Sequence, residues 1–314
     1  MSTGFGNSTN KYLEGNIIIL SSSIIDIMPK KSTYIPVNLM ANEFGSGIAI
    51  EKIVIKDLHS AGMEDAKKPH RDDGHSFFLL EQGLVSLEID FKQYQLLSPS
   101  IIYIHPSQVH RIIDFENVTV SSWSVTEEQL NPEYLKILEN LMPAKPLPLT
   151  LDQLSFIMAA ASLCTRYFKR RKDTFYQHLL KDSCNALIGL VVAQYWEQAK
   201  PTHTLSRLEM VTKDFKRLLE TNYITCKRPA EYAQMLHLSE PYLNECVRKI
   251  SGYSISHHIQ QRVILEAKRL LSHTEKSVKE VAACLGYDDY SYFSRLFTKI
   301  TGMTALNFRS KNLG

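Results

Sequence analysis

The sequence predicts an α+β chain in which a strand-rich N-terminal part gives way to helices and the last third is all-α. Three observations carry this. Short runs alternating apolar with polar residues recur up to about residue 125, apolar spacings of three and four take over beyond it, and residues 230–302 contain one two-helix pattern twice. At 314 residues the chain exceeds the roughly 100–200 residues of one domain, and it is divided here at 1–126, 127–200 and 201–314. A hydrophobic share of 44% and a charged share of 22% are those of a chain that builds cores, which excludes wholesale disorder.

Residues from about 10 to 125 read as β structure. In Leu84-Val-Ser-Leu-Glu-Ile-Asp-Phe91 the apolar Val85, Leu87, Ile89 and Phe91 alternate with Ser86, Glu88 and Asp90, the period of a half-buried strand. Shorter runs stand at Ile17–Leu20, Ile48–Ile55, Ser76–Leu80, Ile101–Ile104 and Val118–Val125. Asp73-Gly74, Gln82-Gly83 and Pro99 supply turns between them, and strands so spaced predict a barrel or sandwich.

Asn131-Pro-Glu opens a short helix, Pro143 to Pro148 breaks the chain, and longer helices are predicted at about 151–170 and 173–198. The second carries Leu179, Leu180, Leu187, Leu190, Val191 and Tyr195 as a stripe that needs a partner, either the preceding helix or a second copy of the chain. Lys169-Arg-Arg-Lys172 sits at a helix end, where cations suit the dipole, and reads as a solvated junction. Lys200-Pro-Thr-His-Thr204 reads as a linker. No run approaches the ~20 apolar residues of a bilayer span, so a cytoplasmic protein without membrane attachment is expected. Five cysteines with no CxxC pair predict buried free thiols rather than disulfides or a zinc ribbon.

The formal charge of +3 divides unevenly. Residues 201–314 carry 17 Lys and Arg against 11 Asp and Glu, leaving 19 against 22 in the first 200. A basic end suits a polyanionic partner. Within it, Ala230-Glu-Tyr-Ala-Gln-Met-Leu236 matches Lys279-Glu-Val-Ala-Ala-Cys-Leu285 at an offset of 49, and Tyr242-Leu-Asn-Glu-Cys-Val-Arg-Lys-Ile-Ser-Gly252 matches Tyr292-Phe-Ser-Arg-Leu-Phe-Thr-Lys-Ile-Thr-Gly302 at 50. One extra residue in the second turn accounts for the change. Each copy reads as a helix-turn-helix: a short helix with a close-packing alanine, Ala233 or Ala282, a tight turn, and a second helix with an apolar inner face. Between them Ile255 to Ser272 reads as one helix with Ile255, Ile259, Val263, Ala267 and Leu270 or Leu271 buried. Its length of about 27 Å spaces the two second helices near the ~34 Å repeat of the major groove.

Over about residues 205–310 the sequence resembles the AraC family of bacterial transcription regulators. The resemblance rests on Gly286-Tyr-Asp-Asp-Tyr-Ser-Tyr-Phe-Ser-Arg-Leu-Phe-Thr-Lys-Ile-Thr-Gly-Met-Thr304 with Phe308-Arg309, and on Arg262, Ala267 and Leu270-Leu271 of the connecting helix. Ala305 and Glu245 depart from that pattern, where proline and an arginine or neutral polar residue are usual. The resemblance implies an all-α double helix-turn-helix, double-stranded DNA as partner, a homodimer, and RNA polymerase as a further partner. Direction and resemblance select Pro241, Asn244 and Glu245 of the first copy and Tyr290, Ser291, Ser294 and Arg295 of the second for base edges. Arg248, Lys249 and Lys299 stand later on the same helices, where phosphate contact is the functional reading, and Lys227, Arg228 and Lys276 are similar. Tyr292, Phe293 and Phe297 are assigned to packing.

For the N-terminal part, Lys68-Pro-His-Arg-Asp-Asp-Gly-His75, Phe77-Phe-Leu-Leu-Glu-Gln-Gly83 and Ile104-His-Pro-Ser-Gln-Val-His110 resemble degenerate cupin motifs, which implies a cupin-like β-barrel that binds a small-molecule effector, followed by a helical dimerisation segment. Phe77, Leu79, His110 and Trp123 are the expected pocket lining. Two alternatives stand beside this. One is a metal-dependent cupin enzyme fused to the DNA-binding part; the other is a barrel that serves only for dimerisation. A cupin metal site resembles HxH with a glutamate and a distant histidine. Here His70 and His75 are five apart, on opposite faces of a regular strand, and Glu81 and His110 converge with them only after a bulge at Gly74. The reading is therefore no metal site, no cofactor and no enzyme.

Overall fold

The computed structural model describes residues 34–41, 45–55, 66–141, 145–170, 173–198 and 206–311. The expected strand Ile17–Leu20 and the linker at 200–204 lie outside them. Eight strands are present among these residues: β1 (Val37–Asn38), β2 (Ile48–Ile55), β3 (Arg71–Asp72), β4 (His75–Ile89), β5 (Lys92–Leu97), β6 (Ser100–Ile104), β7 (His110–Val125) and β8 (Leu147–Pro148). Ten helices follow: α1 (Pro132–Asn140), α2 (Leu151–Phe168), α3 (Thr174–Gln198), α4 (Arg207–Asn222), α5 (Pro229–Met235), α6 (Glu240–Ser251), α7 (Ile255–His273), α8 (Val278–Cys284), α9 (Tyr290–Thr301) and α10 (Ala305–Lys311).

The strands run in the order β2-β7-β4-β6-β8, antiparallel throughout, with β5 on the far half of β4 and a short parallel β1–β3 pair beside them. This is an open path. Among the described residues no pairing joins its ends, so the expected barrel is an antiparallel sheet rather than a closed ring. The two runs expected at 76–80 and 84–91 are one strand, β4. Gly83, expected in a turn, is a kink inside it with φ +96, where a Cβ would collide with the β7 backbone at Glu116 and Asn117. Phe91, expected in the strand, lies instead in the β4–β5 turn. Asp90 and Phe91, at φ 49 and 66, make a two-residue hairpin loop closed by the Ile89–Lys92 pair. Both are non-glycine residues in a left-handed conformation, a strained arrangement that persists only where neighbours hold it.

Alternation along the strands feeds two cores. Phe77, Leu79, Ile101, Tyr103 and Trp123 face α1, α2 and α3, and join Ile157, Leu180, Leu187 and Val191 in one cluster. On the other face Leu80, Leu87, Ile89, Leu96, Ile102, Ile104, Phe115 and Val118 pack together. The Tyr195 hydroxyl on α3 accepts from the Tyr103 amide at 3.2 Å and reaches the Lys145 carbonyl at 3.0 Å, fixing that helix to the sheet. Much of the α3 stripe finds its partner in its own chain: Leu187 and Val191 are fully buried, while Leu190 is exposed. A third core holds α4 to α10 together, with Phe215, Tyr232, Val263, Ala267, Phe293 and Phe297 at its centre.

Two histidines lie deep at the sheet. His75 shares a 2.8 Å hydrogen bond between its Nδ1 and the Tyr103 hydroxyl, and burial with the nearby His105 lowers its pKa to about 3. Burial and the Arg262 and Arg269 guanidiniums lower His105 to about 4. Both folded values lie below the unfolded 6.5, so the unfolded chain binds more protons in the acid range. We expect stability to fall as pH drops from about 6.5 towards 4. Urea unfolding midpoints across that range check it, and a midpoint rising on acidification would contradict it.

Candidate nucleic-acid interface

The duplicated units α5–α6 and α8–α9 repeat bond for bond. The first helix of each ends in the same reversal, the Leu238 amide on the Ala233 carbonyl and the Tyr287 amide on the Ala282 carbonyl, both 2.9 Å. The left-handed residue beneath it is His237 (φ 54) in one copy and Gly286 (φ 73) in the other. Gly286 is confined to glycine because a Cβ would strike the Ile224 carbonyl. The Ser239 and Asp289 side chains then accept from the Tyr242 and Tyr292 amides and cap the second helices. Gly252 and Gly302, at φ 79 and 76, end them. Ser251 and Thr301 hydroxyls bridge back to the Val247 and Phe297 carbonyls. The turn between helices spans 236–239 in one copy and 285–289 in the other, the extra residue that shifts the offset from 49 to 50.

The first turn of each second helix is open to solvent. Pro241, Glu245, Tyr290, Ser291 and Arg295 are exposed, and Ser294 is half-buried. Among the described residues Arg295 has no ion-pair partner, since Asp289 is engaged as the helix cap. Asn244 is different. Its Oδ1 accepts from the Ile255 amide at 3.2 Å, so the two-point contact by which an asparagine reads adenine is not open to it in this conformation. Glu245 and Lys249 pair at 2.6 Å one turn apart, while Arg248 and Lys299 are exposed. Lys227, expected at phosphate, instead spans the two units. Its Nζ donates to the Tyr223 carbonyl and lies 4.9 Å from the Tyr287 ring centre, and burial lowers its pKa to about 8. Phe293 and Phe297 are in the core as expected, whereas Tyr292 is largely exposed and stacks on Tyr287.

Helix α7 joins the two units, with Ile259, Val263, Ala267 and Leu271 buried among them. Its other face was missed by the apolar pattern. Arg262, Glu266 and Arg269, four and three residues apart, are all buried there. Arg269 forks onto Asp90, Nε to Oδ1 and Nη2 to Oδ2, both 2.7 Å, and its Nη1 reaches Glu266 at 2.8 Å. Arg71 of β3 donates to Glu266 at 2.6 Å, and Arg262 donates to Glu220 of α4 at 2.7 Å. Three cations thus meet three carboxylates. Although burial opposes ionisation of Glu266, Arg269, Arg71 and Arg262 together hold its pKa down at about 2. Phe91 at the hairpin tip extends the contact, with its ring 5.8 Å from His273 and 5.9 Å from Phe308.

The expected effector residues lie on two faces of the sheet. Phe77, Leu79 and Trp123 are fully buried against the helices, Phe77 stacked on Trp123 at 5.6 Å, because β4 and the paired end of β7 turn them towards α2 and α3. His110 stands on the other face, 6.2 Å from the ring of Phe78. Alternation identified both faces but not which one met the helices. Glu81 pairs with Lys52 and Ser121 rather than converging with His110. A cleft of about 390 Å³ lies between, lined by Gly74, His75, Pro106 and Glu127 among others.

Two known domain families match the chain: a helix-turn-helix domain over residues 232–311 and an AraC-like ligand binding domain over residues 57–121. It is similar to the HTH-type transcriptional activator RhaR of Yersinia pestis bv. Antiqua, 23% identical over 224 residues that cover 69% of this chain and 76% of that one. The HTH-type transcriptional regulator YisR of Bacillus subtilis is 29% identical over 104 residues, 33% of this chain and 36% of the relative. Among solved structures, the C-terminal domain of AraT, a response regulator from Geobacillus stearothermophilus, matches with 26% identity and a TM-score of 0.32 over 34% of this chain and 88% of that one. A doubled helix-turn-helix behind a ligand-binding sheet domain defines a DNA-binding transcription regulator. Within that class, the two matched domains and the RhaR relatives support an AraC family regulator.

The buried charges make a direct expectation. Arg269→Ala leaves Asp90 and Glu266 without their main partner, and we expect a loss of about 3–5 kcal/mol in urea unfolding of the full chain. The losses from Asp90→Ala and Arg269→Ala should be far from additive. Additive losses would mean that the two side chains act separately.

Proposed function

We infer that the protein is a cytoplasmic, sequence-specific and effector-responsive regulator, without catalytic activity, that sets two second helices into successive major-groove segments of one duplex. The observation that carries this is the bond-for-bond repeat with both second helices open at their first turns, held by α7, whose 19 residues span about 28 Å. The second unit carries most of the base reading. Arg295 is free to form the two-point contact with guanine, and Tyr290, Ser291 and Ser294 flank it on the same surface. In the first unit Pro241 approaches the base edges, Asn244 has one amide hydrogen-bonding end to offer, and Glu245 serves mainly to orient Lys249. Arg248, Lys249 and Lys299 hold the phosphates.

The contact of Arg71 and Asp90 with α7 supports an effector route. A ligand that favours one placement of the sheet against α7 also favours one placement of the DNA-binding units, because a ligand shifts an equilibrium only by binding two states unequally. Pairing of two chains belongs to the same reading, on a different surface from Leu187 and Val191. Helix α2 exposes Phe156, Ala159 and Leu163 along one side, and α3 exposes Ala186, Leu190 and Ala193. RNA polymerase is the further partner at a promoter.

Selection of bound fragments from genomic DNA identifies the operator. On it, Arg295→Ala is expected to cost ~1–3 kcal/mol and relax choice at one base pair, whereas Lys299→Ala weakens all sequences alike and lowers the salt slope. Equal losses on every sequence for Arg295→Ala would remove its base-reading role. For pairing, Leu163→Glu with Leu190→Glu should convert a dimer to monomers in sedimentation. A monomeric parent chain would refute the dimer.

A further inference from the structure

We propose that His70, Asp72 and His110 form a binding site for a divalent transition-metal ion, on the sheet face away from α1, α2 and α3. The three come together because β3 and the start of β7 meet there: His70 and His110 exchange backbone hydrogen bonds at 3.1 and 2.9 Å, and Asp72 follows His70 by two, on the same side. His110 Nε2 lies 3.6 Å from Asp72 Oδ2, and His70 Nε2 lies 3.8 Å from Asp72 Oδ1. One ligand atom from each residue falls within 4.8 Å of the other two. Atoms bound to one ion at about 2.0–2.2 Å stand roughly 3–4 Å apart, so small side-chain rotations bring this set to an ion.

The surroundings favour a cation over a purely structural cluster. Asp72 is 3% exposed, and among the described residues neither of its carboxylate oxygens accepts a hydrogen bond. A buried carboxylate that accepts no hydrogen bond is costly, and a metal ion held between it and the two imidazoles meets that need. His70 is already oriented for this. Its Nδ1 donates to the Lys68 carbonyl at 2.8 Å, an outer hydrogen bond that turns Nε2 towards Asp72. Two imidazoles and one carboxylate suit Zn²⁺, Fe²⁺ or Co²⁺ rather than Mg²⁺ or Ca²⁺, and leave a coordination position open for water or a small anionic ligand.

The site lies directly behind the grip on α7. Arg71, between His70 and Asp72, holds Glu266, and Asp90, which holds Arg269, is itself bonded to the Val109 amide and the Gln108 side chain next to His110. On the regulatory reading given above, the ion is the effector or anchors it, and drawing the three ligands together changes how firmly the sheet holds α7.

Titration of the EDTA-treated full chain with Co²⁺, followed by visible absorption and then by Zn²⁺ competition, tests the site. One ion per chain is expected, with Asp72→Asn and His110→Ala each weakening affinity more than about tenfold, beyond the low end of what outer-shell changes cost. His178→Ala, on exposed α3 surface, leaves binding unchanged. X-ray absorption of the Zn²⁺-loaded wild-type chain reads the ligands without any variant: two imidazoles with oxygen are expected. No stoichiometric binding, a shell containing sulfur, or binding unaltered in folded Asp72→Asn would overturn the site. Operator affinity with and without Zn²⁺ is a separate measurement. A changed affinity supports the coupling; an unchanged affinity in the metal-loaded chain overturns the coupling while leaving the site.

Discussion

The fork between Arg269 and Asp90 joins the two halves of the molecule, and much else is arranged around it. Asp90 occupies a strained hairpin tip at φ 49, with Phe91 beside it at φ 66, a conformation that the fork and the packing of Phe91 on His273 and Phe308 hold in place. Arg269 in turn lies on a helix that serves two masters. One face of α7 is apolar and completes the core of both helix-turn-helix units; the other is ionic and meets the sheet. The spacing of the two second helices and the seating of the sheet are therefore set by the same nineteen residues.

The parts of this architecture most legible in the sequence are those fixed by local rules. The repeat was readable because alanine, turn, cap and glycine recur at fixed offsets, and each reappears as a hydrogen bond or a positive φ. Helix α7 and its apolar stripe were readable from spacing alone. The strands were found but not their connections: Gly83 reads equally as a turn or as a kink in one long strand, and the choice is made by the close approach of β7. Alternation separates two faces of a strand without saying what covers each, which is why Phe77, Leu79 and Trp123 were assigned to a pocket rather than to the helix-facing core.

The long-range polar pairs were the least legible. Asp90 and Arg269 are 179 residues apart, and Arg71 and Glu266 are 195 apart. A local signal existed in the three- and four-residue spacing of Arg262, Glu266 and Arg269, but such spacing also describes an ordinary solvated helix face. His70 and Asp72 share a strand face by simple period-two arithmetic. What the arithmetic lacks is the β3–β7 contact that adds His110 to them.

The chemistry of the inter-domain surface also decides what happens when it opens. Its centre is a balanced set of arginines and carboxylates, with the ring of Phe91 as a smaller apolar part. Separation would return charged groups to water, where they are well solvated, instead of uncovering a broad greasy face that invites aggregation. A surface of this kind can close firmly and still release its partner without loss of solubility. Such a surface favours parting and rejoining more than an equally large interface of leucine and phenylalanine would.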